Sequence, residues 1–315
     1  MDLKTHYFLF YKERLNLDGV ILNYNSSSDT VELLSNLLRM NDTFEHIVVV
    51  DNNSNEKDKA ALSAAVDEMK SQSNSSVDIK LIFNKKNTGY ASGNNIGLKY
   101  LNTLSSRDNL VAIMNPDIYI EEQQLRGVIK NYQYFESKSG ENSVGVISPW
   151  VINTGQAGMV AWKLPYFWSD VIASSMILKK LLGDKLEYKK LNRNKHLQPV
   201  DVLPGSFLII NKTALERVGF LEESTFLYCE ERILASKMKR NGFATLLDTD
   251  HYYHHAHSKT INKFLNGLKK IDFLYDSKRV YYKQEKKSYI QSFIISNLRF
   301  LSKAEYVCIQ GLKSL

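Results

Sequence analysis

The chain predicts an α/β fold: a mostly parallel sheet flanked by helices, followed by a helical, basic C-terminal extension. Three observations carry this. Apolar, strand-like runs alternate with amphipathic segments through the first half, the pattern of β-α-β units. The runs are continuously hydrophobic rather than alternating, as strands covered on both faces must be. One of them ends in Asn115-Pro116-Asp117. Pro116 cannot donate to a sheet ladder, so the strand stops there and presents Asn115 and Asp117 at its carboxyl end. Ligands bind at that end of strands in open α/β sheets.

Taken in order, Val20-Ile21-Leu22 is the first strand, ending at Asn23-Tyr24-Asn25. Ser26 to Asp29 supplies capping residues for a helix with apolar positions Val31, Leu33, Leu34, Leu37 and Leu38. Ile47 to Val50 is a second strand, ended by Asp51-Asn52-Asn53-Ser54, with a helix from about Lys57 to Gln72 after it. Ile79 to Phe83 is a third strand. A Gly/Asn-rich segment, a helix to about Leu101 and the strand Leu110 to Met114 follow. Beyond these, Val144 to Val151 and Phe207 to Asn211 read as strands, Cys229 to Asn241 as a helix and Phe243 to Leu247 as a strand. His251, His254, His255 and His257 crowd the next turn, and Ile261 to Leu315 is helix-like.

Composition narrows the function classes. Cys229 and Cys308 lie far apart with no metal-type spacing, which suits a reducing compartment. The start of the chain has too short an apolar core for a signal peptide. No run approaches the roughly 20 apolar residues of a spanning helix. The net charge is +7, and from Lys259 onward 12 Lys/Arg face 4 Asp/Glu, so the tail carries the whole excess. A basic tail serves nucleic acid, an anionic membrane or solubility. With no nucleic-acid-binding module in the chain, a nucleic-acid partner is not expected.

Four elements converge if the strands share one sheet. The carboxylate of Asp51 only accepts, so it can pair with the imide N–H of a uracil or thymine ring; capping the next helix is the plainer role for it. In Asn87 to Gly97, Gly89 and Gly93 allow close backbone approach and the helix start can receive a diphosphate. The spacing is neither GxGxxG nor a P-loop. The hard oxygens of Asp117 suit Mg²⁺ or Mn²⁺. Glu230 and Glu231 sit at a helix start, where the dipole also favours acids; adjacent residues do not share a helix face, so one of the two is expected in a cleft. The histidine-rich turn is either a metal site or a polar surface segment.

In order and spacing these pieces resemble the inverting glycosyltransferases of family 2, which have the GT-A fold with its Rossmann-like sheet. The matching segments are VILNYN (Val20–Asn25), VVVDNNS (Val48–Ser54), NTGYASGNNIG (Asn87–Gly97), MNPD (Met114–Asp117), LPGSFLIINKTALERVGFLEESTFLYCEER (Leu203–Arg232) and KMKRNGF (Lys237–Phe243). The form looks most like the bacterial rhamnosyltransferase-like branch. The resemblance implies a GT-A domain over 1–258, with a nucleotide-sugar half at about 19–120 and an acceptor half at about 121–258. A basic amphipathic extension, 259–315, follows it.

Residue by residue, the resemblance implies that Asp51 contacts the nucleobase, and that Asn87, Gly89 and Asn94 line the sugar-diphosphate region. The strand-end residues Asn23, Asn25, Asn53 and Asn115 join them as donor-binding candidates. Asp117 would hold Mg²⁺ or Mn²⁺ through the donor diphosphate, with His254, four residues before Ser258, as the later histidine. Glu231 takes the position of the base, with Glu230 beside it; Ile233 stands where the family often has a further acid. The implied reaction moves a sugar, rhamnose from dTDP-rhamnose first and a UDP-hexose or UDP-N-acetylhexosamine as the alternative, to a hydroxyl of a growing bacterial surface glycan. An inactive nucleotide-sugar-binding scaffold is the reading from another class. Aromatic and basic residues in Trp162 to Lys195 and in the tail fit a membrane interface. This places the protein in the cytoplasm, peripheral at the inner face of the plasma membrane, with a polyprenyl-diphosphate-linked acceptor.

Overall fold

The computed structural model of the chain describes residues 15, 17–40, 42–72, 75–104, 109–140, 143–153, 160–183, 186–188, 191, 195–256, 266–286 and 288–313. The first half has the expected alternation: β1 (Leu17–Asn23), α1 (Ser27–Leu38), β2 (Phe44–Asp51), α2 (Glu56–Gln72), β3 (Asp78–Phe83), α3 (Tyr90–Leu101) and β4 (Leu110–Met114). β1 pairs in parallel with β2 and β4, and β2 with β3. Continuous hydrophobicity follows from two covered faces. Ile21, Ile47 and Val49 pack with Leu34 and Leu37 of α1 on one side. Val20, Val48 and Val50 pack with Leu98 and Leu101 of α3 on the other.

The second half contains β5 (Ile118–Tyr119), α4 (Glu122–Ser139), β6 (Val144–Asn153), α5 (Phe167–Ala173), α6 (Met176–Leu182), β7 (Leu197–Pro199), β8 (Phe207–Asn211), α7 (Lys212–Arg217), α8 (Glu230–Arg240) and β9 (Ala244–His255). Among the described residues the strands form one nine-stranded sheet in the order β3-β2-β1-β4-β8-β6-β9-β5, with β7 on β9. The parallel arrangement holds for β1 to β4. β8 runs antiparallel to both β4 and β6, while β6 and β9 are parallel, so the sheet beyond β4 is mixed. An antiparallel neighbour needs no crossover connection, and β8 is antiparallel to both strands it pairs with.

Two expectations need correction. The strand expected to stop at Leu247 runs on to His255, so His251, His254 and His255 lie on β9 rather than on a turn. The polar stretch that reads as a turn is a bulge, where Asp248 opposes Pro149 but Tyr252 opposes Trp150. The fully buried Asp248 organises it, accepting from Asn131 Nδ2 (2.9 Å), Asp250 N (2.9 Å) and paired with His251 Nδ1 (3.0 Å). His257 and Ser258 lie outside the described residues.

The extension is helical as expected, forming α9 (Gly267–Gln284) and α10 (Tyr289–Lys313), but it is not a solvated tail. Tyr275, Tyr281, Tyr282 and Ile295 are buried in a cluster with Cys229 and Ile233. Tyr281 and Tyr282, expected at a membrane surface, are therefore core residues, and Lys278 is only 3 % exposed. The departure at Ile233 has its reason here: that face of α8 meets the C-terminal hairpin and must be apolar.

Gly89, the residue before α3, has φ +95°, and a Cβ there would lie 2.4 Å from the Phe226 carbonyl oxygen. Gly140 has φ +103° with open space around it. Both Gly89→Ala and Gly140→Ala carry the backbone cost of a positive φ, about 1–2 kcal/mol. Only Gly89→Ala adds a clash with backbone. In thermal unfolding Gly89→Ala is expected to lower the Tm clearly more than Gly140→Ala; equal losses would refute the close approach.

Candidate active site

The cleft opens where the carboxyl end of β4 meets the amino end of β8. Met114 pairs with Phe207, and the Asn115 N–H extends the ladder to the Ser206 carbonyl (2.8 Å). The strand-end residues after β4 thus face the Pro204-Gly205-Ser206 loop. Asn115, Tyr90, Trp162, Gly205, Glu230, Glu231 and His255 contribute to the lining of a cavity of about 310 Å³.

The acidic pair is presented by a strained turn. Tyr228 (φ +74°) and Cys229 (φ +65°) are successive non-glycine residues in the left-handed region, and α8 begins immediately after them. Such residues cost about 1–2 kcal/mol each and persist only where surrounding structure enforces them. Both glutamates line the cleft, which corrects the expectation that only one would. They are the first two residues of the helix and project from its end, where the rule about opposite faces loses its hold.

The two carboxyls have different surroundings. Glu230 is 4 % exposed, and its Oε1 is buried without a hydrogen-bond partner. Burial, reinforced by the charge of Glu231, pushes its carboxyl well above the usual range. Glu231 keeps exposure into the cleft and lies on Gly205, where a Cβ would stand 2.7 Å from its Oε1. Burial raises its carboxyl too, opposed by backbone hydrogen bonds at its own position and at Gly205 and by the charge of Arg232. The Tyr90 hydroxyl donates to the Gly205 carbonyl (2.6 Å) and fixes this floor from α3. Gly205 and Tyr90 escaped the sequence reading, because only the fold sets a helix start on that loop.

Across the cleft, Asp117 Oδ1 lies 3.2 Å from His255 Nε2. The histidine beside Asp117 is thus His255, the neighbour of the expected His254. Neighbours on a strand point to opposite faces, and His254 packs its ring against Tyr119 and Tyr252 instead. His251 is tied to Asp248 with its ring against Gly127. A carboxylate and an imidazole suit Mg²⁺ or Mn²⁺ when a ligand diphosphate completes the shell. Among the described residues no group of three or more His, Cys, Asp or Glu could hold a metal without that help.

The remaining candidates divide into surface and interior. Asn25 and Asn53, both at positive φ, and Asn87 are partly exposed at the strand-end corner. Asn87 Oδ1 accepts from Asn52 Nδ2 (3.0 Å) and from Gly89 N (3.0 Å), shaping the turn into α3. Asn23, Asp51 and Asn94 have no exposure. Asn23 Nδ2 reaches Asp51 (2.8 Å), Ser54 Oγ (3.1 Å) and Asp58 (2.9 Å), and Asp51 also accepts from Ser54 N (3.0 Å). Burial would raise the Asp58 carboxyl, but hydrogen bonds from Asn23 and Ser27 hold it below the usual range. Asn23 and Asp51 therefore lash the ends of β1 and β2 together, and the capping role is the one this arrangement displays. Asn94 sits inside α3, bonded to the Tyr90 carbonyl (3.0 Å).

A parallel half-sheet, a carboxylate at the end of β4 and an acidic helix start facing it across one cleft define a GT-A type glycosyltransferase fold. Residues 20–137 match the family described as Glycosyl transferase family 2. A low-salt glycan biosynthesis hexosyltransferase, Agl10 of Haloferax volcanii, is 28 % identical over 216 residues; the match covers 69 % of this chain and 59 % of that protein. Among solved structures, GalNAc-T7 with UDP, GalNAc and Mn²⁺ superposes with a TM-score of 0.56 at 16 % identity, covering 78 % of this chain and 44 % of the other. Mannosyltransferase PcManGT from Pyrobaculum calidifontis, in complex with GDP-Man and Mn²⁺, gives 0.56 at 13 % identity, covering 97 % and 82 %. Residues 20–137 thus carry the family 2 glycosyltransferase match, and the chain has the GT-A fold.

The carboxyls of Glu230 and Glu231 are both raised above the unfolded value of 4.5. The folded protein therefore holds protons that the unfolded chain has lost, and stability falls as pH rises from about 4.5 through the raised range. Glu230→Gln removes that cost. The variant is expected to gain in Tm over the unsubstituted protein at pH 8, with the gain shrinking towards pH 4. A difference independent of pH would show that Glu230 does not titrate differently on folding.

Proposed function

We propose that this protein is a metal-dependent, inverting glycosyltransferase that moves a hexose from a nucleoside diphosphate donor to a hydroxyl of a growing surface glycan. The observation that carries this is Glu231, laid on Gly205 in a cleft whose other side holds Asn115 and the Asp117–His255 pair. Glu231 removes the proton from the acceptor hydroxyl as its oxygen attacks the anomeric carbon opposite the leaving group, so the centre inverts without a covalent intermediate. A carboxyl raised by burial is the better base near neutral pH. Asp117 and His255 would hold the divalent ion, which when bound offsets charge on the departing diphosphate. Asn25, Asn53, Asn87 and Asn115 meet the donor. Gly89 lets the backbone approach it, and Asn23, Asp51 and Asn94 set the shape of that surface.

Rhamnose from dTDP-rhamnose is the finer reading, supported by the Asn115-Pro116-Asp117 form alone. A UDP-hexose stands beside it, since the relative is a hexosyltransferase. Turnover of a panel of dTDP-, UDP- and GDP-sugars with Mg²⁺ or Mn²⁺ decides between them. On the donor so found, Glu231→Gln is expected to lose about 10²-fold or more in turnover while still binding donor, and Glu230→Gln less. The reverse order would make Glu230 the base. His255→Ala is expected to weaken metal-dependent turnover more than His254→Ala, and Asp117→Asn to abolish it with the fold intact. Equal, small effects of both histidine changes would remove His255 from the metal site.

A lipid-linked acceptor at an anionic membrane is the reading for the partner, and it places the protein at the inner face of the plasma membrane. No described helix is long and apolar enough to cross a membrane. Supporting surface contact, Met176, Ile177 and Leu181 of α6 and Tyr289, Ile290, Phe293 and Phe300 of α10 are exposed. Glu305 of α10 joins the two helices, accepting from Ser175 Oγ (2.5 Å) and Met176 N (2.7 Å). Among the described residues, part of the tail's positive charge is buried or paired. Lys278 is buried against Asp170, and Arg299 and Lys303 pair with Asp272; the side chains of Lys179, Lys180, Lys283 and Lys286 are exposed. Each is worth about 1 kcal/mol at an anionic surface. The protein is expected to sediment with anionic liposomes and to be released by high salt. Replacing those four lysines by Glu is expected to abolish this, and equal indifference to neutral and anionic vesicles would rule it out.

A further inference from the structure

Three charged side chains are buried together behind the cleft, and none has a role in the chemistry above. Asp170 of α5 is fully buried, with Oδ2 accepting from Arg232 Nη1 of α8 (3.0 Å) and Oδ1 lying 2.9 Å from Lys278 Nζ of α9. Lys278 also donates to Ser174 Oγ (2.6 Å), and the Arg232 guanidinium lies over the Tyr281 ring, 5.2 Å from its centre. Burying an ion costs several kcal/mol, and apolar side chains of similar volume usually serve stability as well or better. Stability alone therefore gives no reason for this cluster.

Its position gives one. Arg232 directly follows Glu231, and the Tyr228–Cys229 turn ahead of the pair is strained in the left-handed region. α9 grips that turn at three successive places. Phe273 stacks on Phe226 with ring centres 4.6 Å apart, Ser277 Oγ donates to the Leu227 carbonyl (2.8 Å), and Lys278 reaches Arg232 through Asp170. A further backbone contact, Tyr90 N to the Phe226 carbonyl (2.9 Å), comes from the start of α3. Strain of this kind is retained only where neighbours over-determine it.

We propose that the C-terminal hairpin is a clamp on the catalytic turn, with Asp170, Arg232 and Lys278 as positioning residues that hold Glu231 over Gly205. This rests on the reading of Glu231 as the base. The cluster also carries two cations to one anion, leaving positive charge behind a carboxylate that must be ionised to act. The clamp makes residues 267–313 part of the catalytic frame rather than an appendage.

The test is the full-length variant Asp170→Leu/Arg232→Met/Lys278→Met, which keeps the volume and removes all three charges. It is expected to keep a Tm close to that of the unsubstituted protein and to bind UDP or dTDP with Mn²⁺ as before. Amides of residues 226–236 are expected to exchange with deuterium about 10-fold faster, while those of β1 to β4 do not change. On a donor from the panel, kcat falls about 10- to 100-fold, the scale of a misplacement near 1 Å, with donor KM unchanged. Should the triple variant not fold, Ser277→Ala and the pair Lys278→Arg and Lys278→Gln replace it. Arg is then expected to preserve kcat and Gln and Ser277→Ala to lower it without moving KM. Folded variants with unchanged exchange and unchanged kcat overturn the clamp. If instead Glu231→Gln keeps its turnover, the reading of the base has failed, whereas a failed clamp shows as Glu231→Gln inactive with the triple variant active.

Discussion

The register between β4 and β8 is the constraint on which the rest of the site depends. β4 ends at Met114 because Pro116 cannot extend a ladder, and β8 begins at Phe207, directly opposite. Since the two strands run antiparallel, the carboxyl end of one meets the amino end of the other. The Asn115–Asp117 segment is thereby set beside the Pro204–Ser206 loop, whose floor carries Glu231. A slip of one residue along this seam would turn every inward side chain outward and part the Asn115–Asp117 segment from the Pro204–Ser206 loop.

Around that seam the protein buries polar groups in three ways, and the physical cost differs each time. Asn23, Asp51, Ser54 and Asp58 form a neutral-to-anionic knot in which nearly every donor finds an acceptor, so the ends of β1 and β2 are fixed at little expense. Asp170, Arg232 and Lys278 are charged and dry, yet paired, and their pairing holds the Asp170 carboxyl below its usual range although burial alone would raise it. Glu230 is buried with one oxygen unpartnered, and burial there raises the carboxyl instead. The first ties two strand ends, the second is charged but paired in a dry interior, and the third leaves a carboxyl beside the cleft whose neutral form is favoured.

The C-terminal hairpin has two unlike faces. One side supplies Tyr275, Tyr281, Tyr282 and Lys278 to the interior behind α8. The other exposes aromatic and aliphatic side chains beside those of α6. An amphipathic helix normally has its apolar stripe against the protein and its polar stripe in water. Here apolar residues occur on both, so the exposed ones are not explained by the core of this chain.

The sequence by itself determined the β-α-β half of the sheet and where its strands end. Strand ends are marked by local chemistry: Asn23 to Asn25, Asp51 to Ser54 and Asn115 to Asp117 each break an apolar run with residues that favour turns, and the continuous hydrophobicity between them allows only covered strands. It also showed that Glu230 and Glu231 stand at a helix start. Only the tertiary structure decided which residues meet. That His255 rather than His254 faces Asp117 depends on the phase of a strand continued through the Asp248 bulge, which has no periodic signature. That Asp51 turns inward, that Gly205 lies under Glu231, and that Lys278 of a basic tail is a buried partner of Asp170 all depend on contacts between elements distant in sequence. Periodicity along one element says which side is apolar; it carries no information about what the other side will touch.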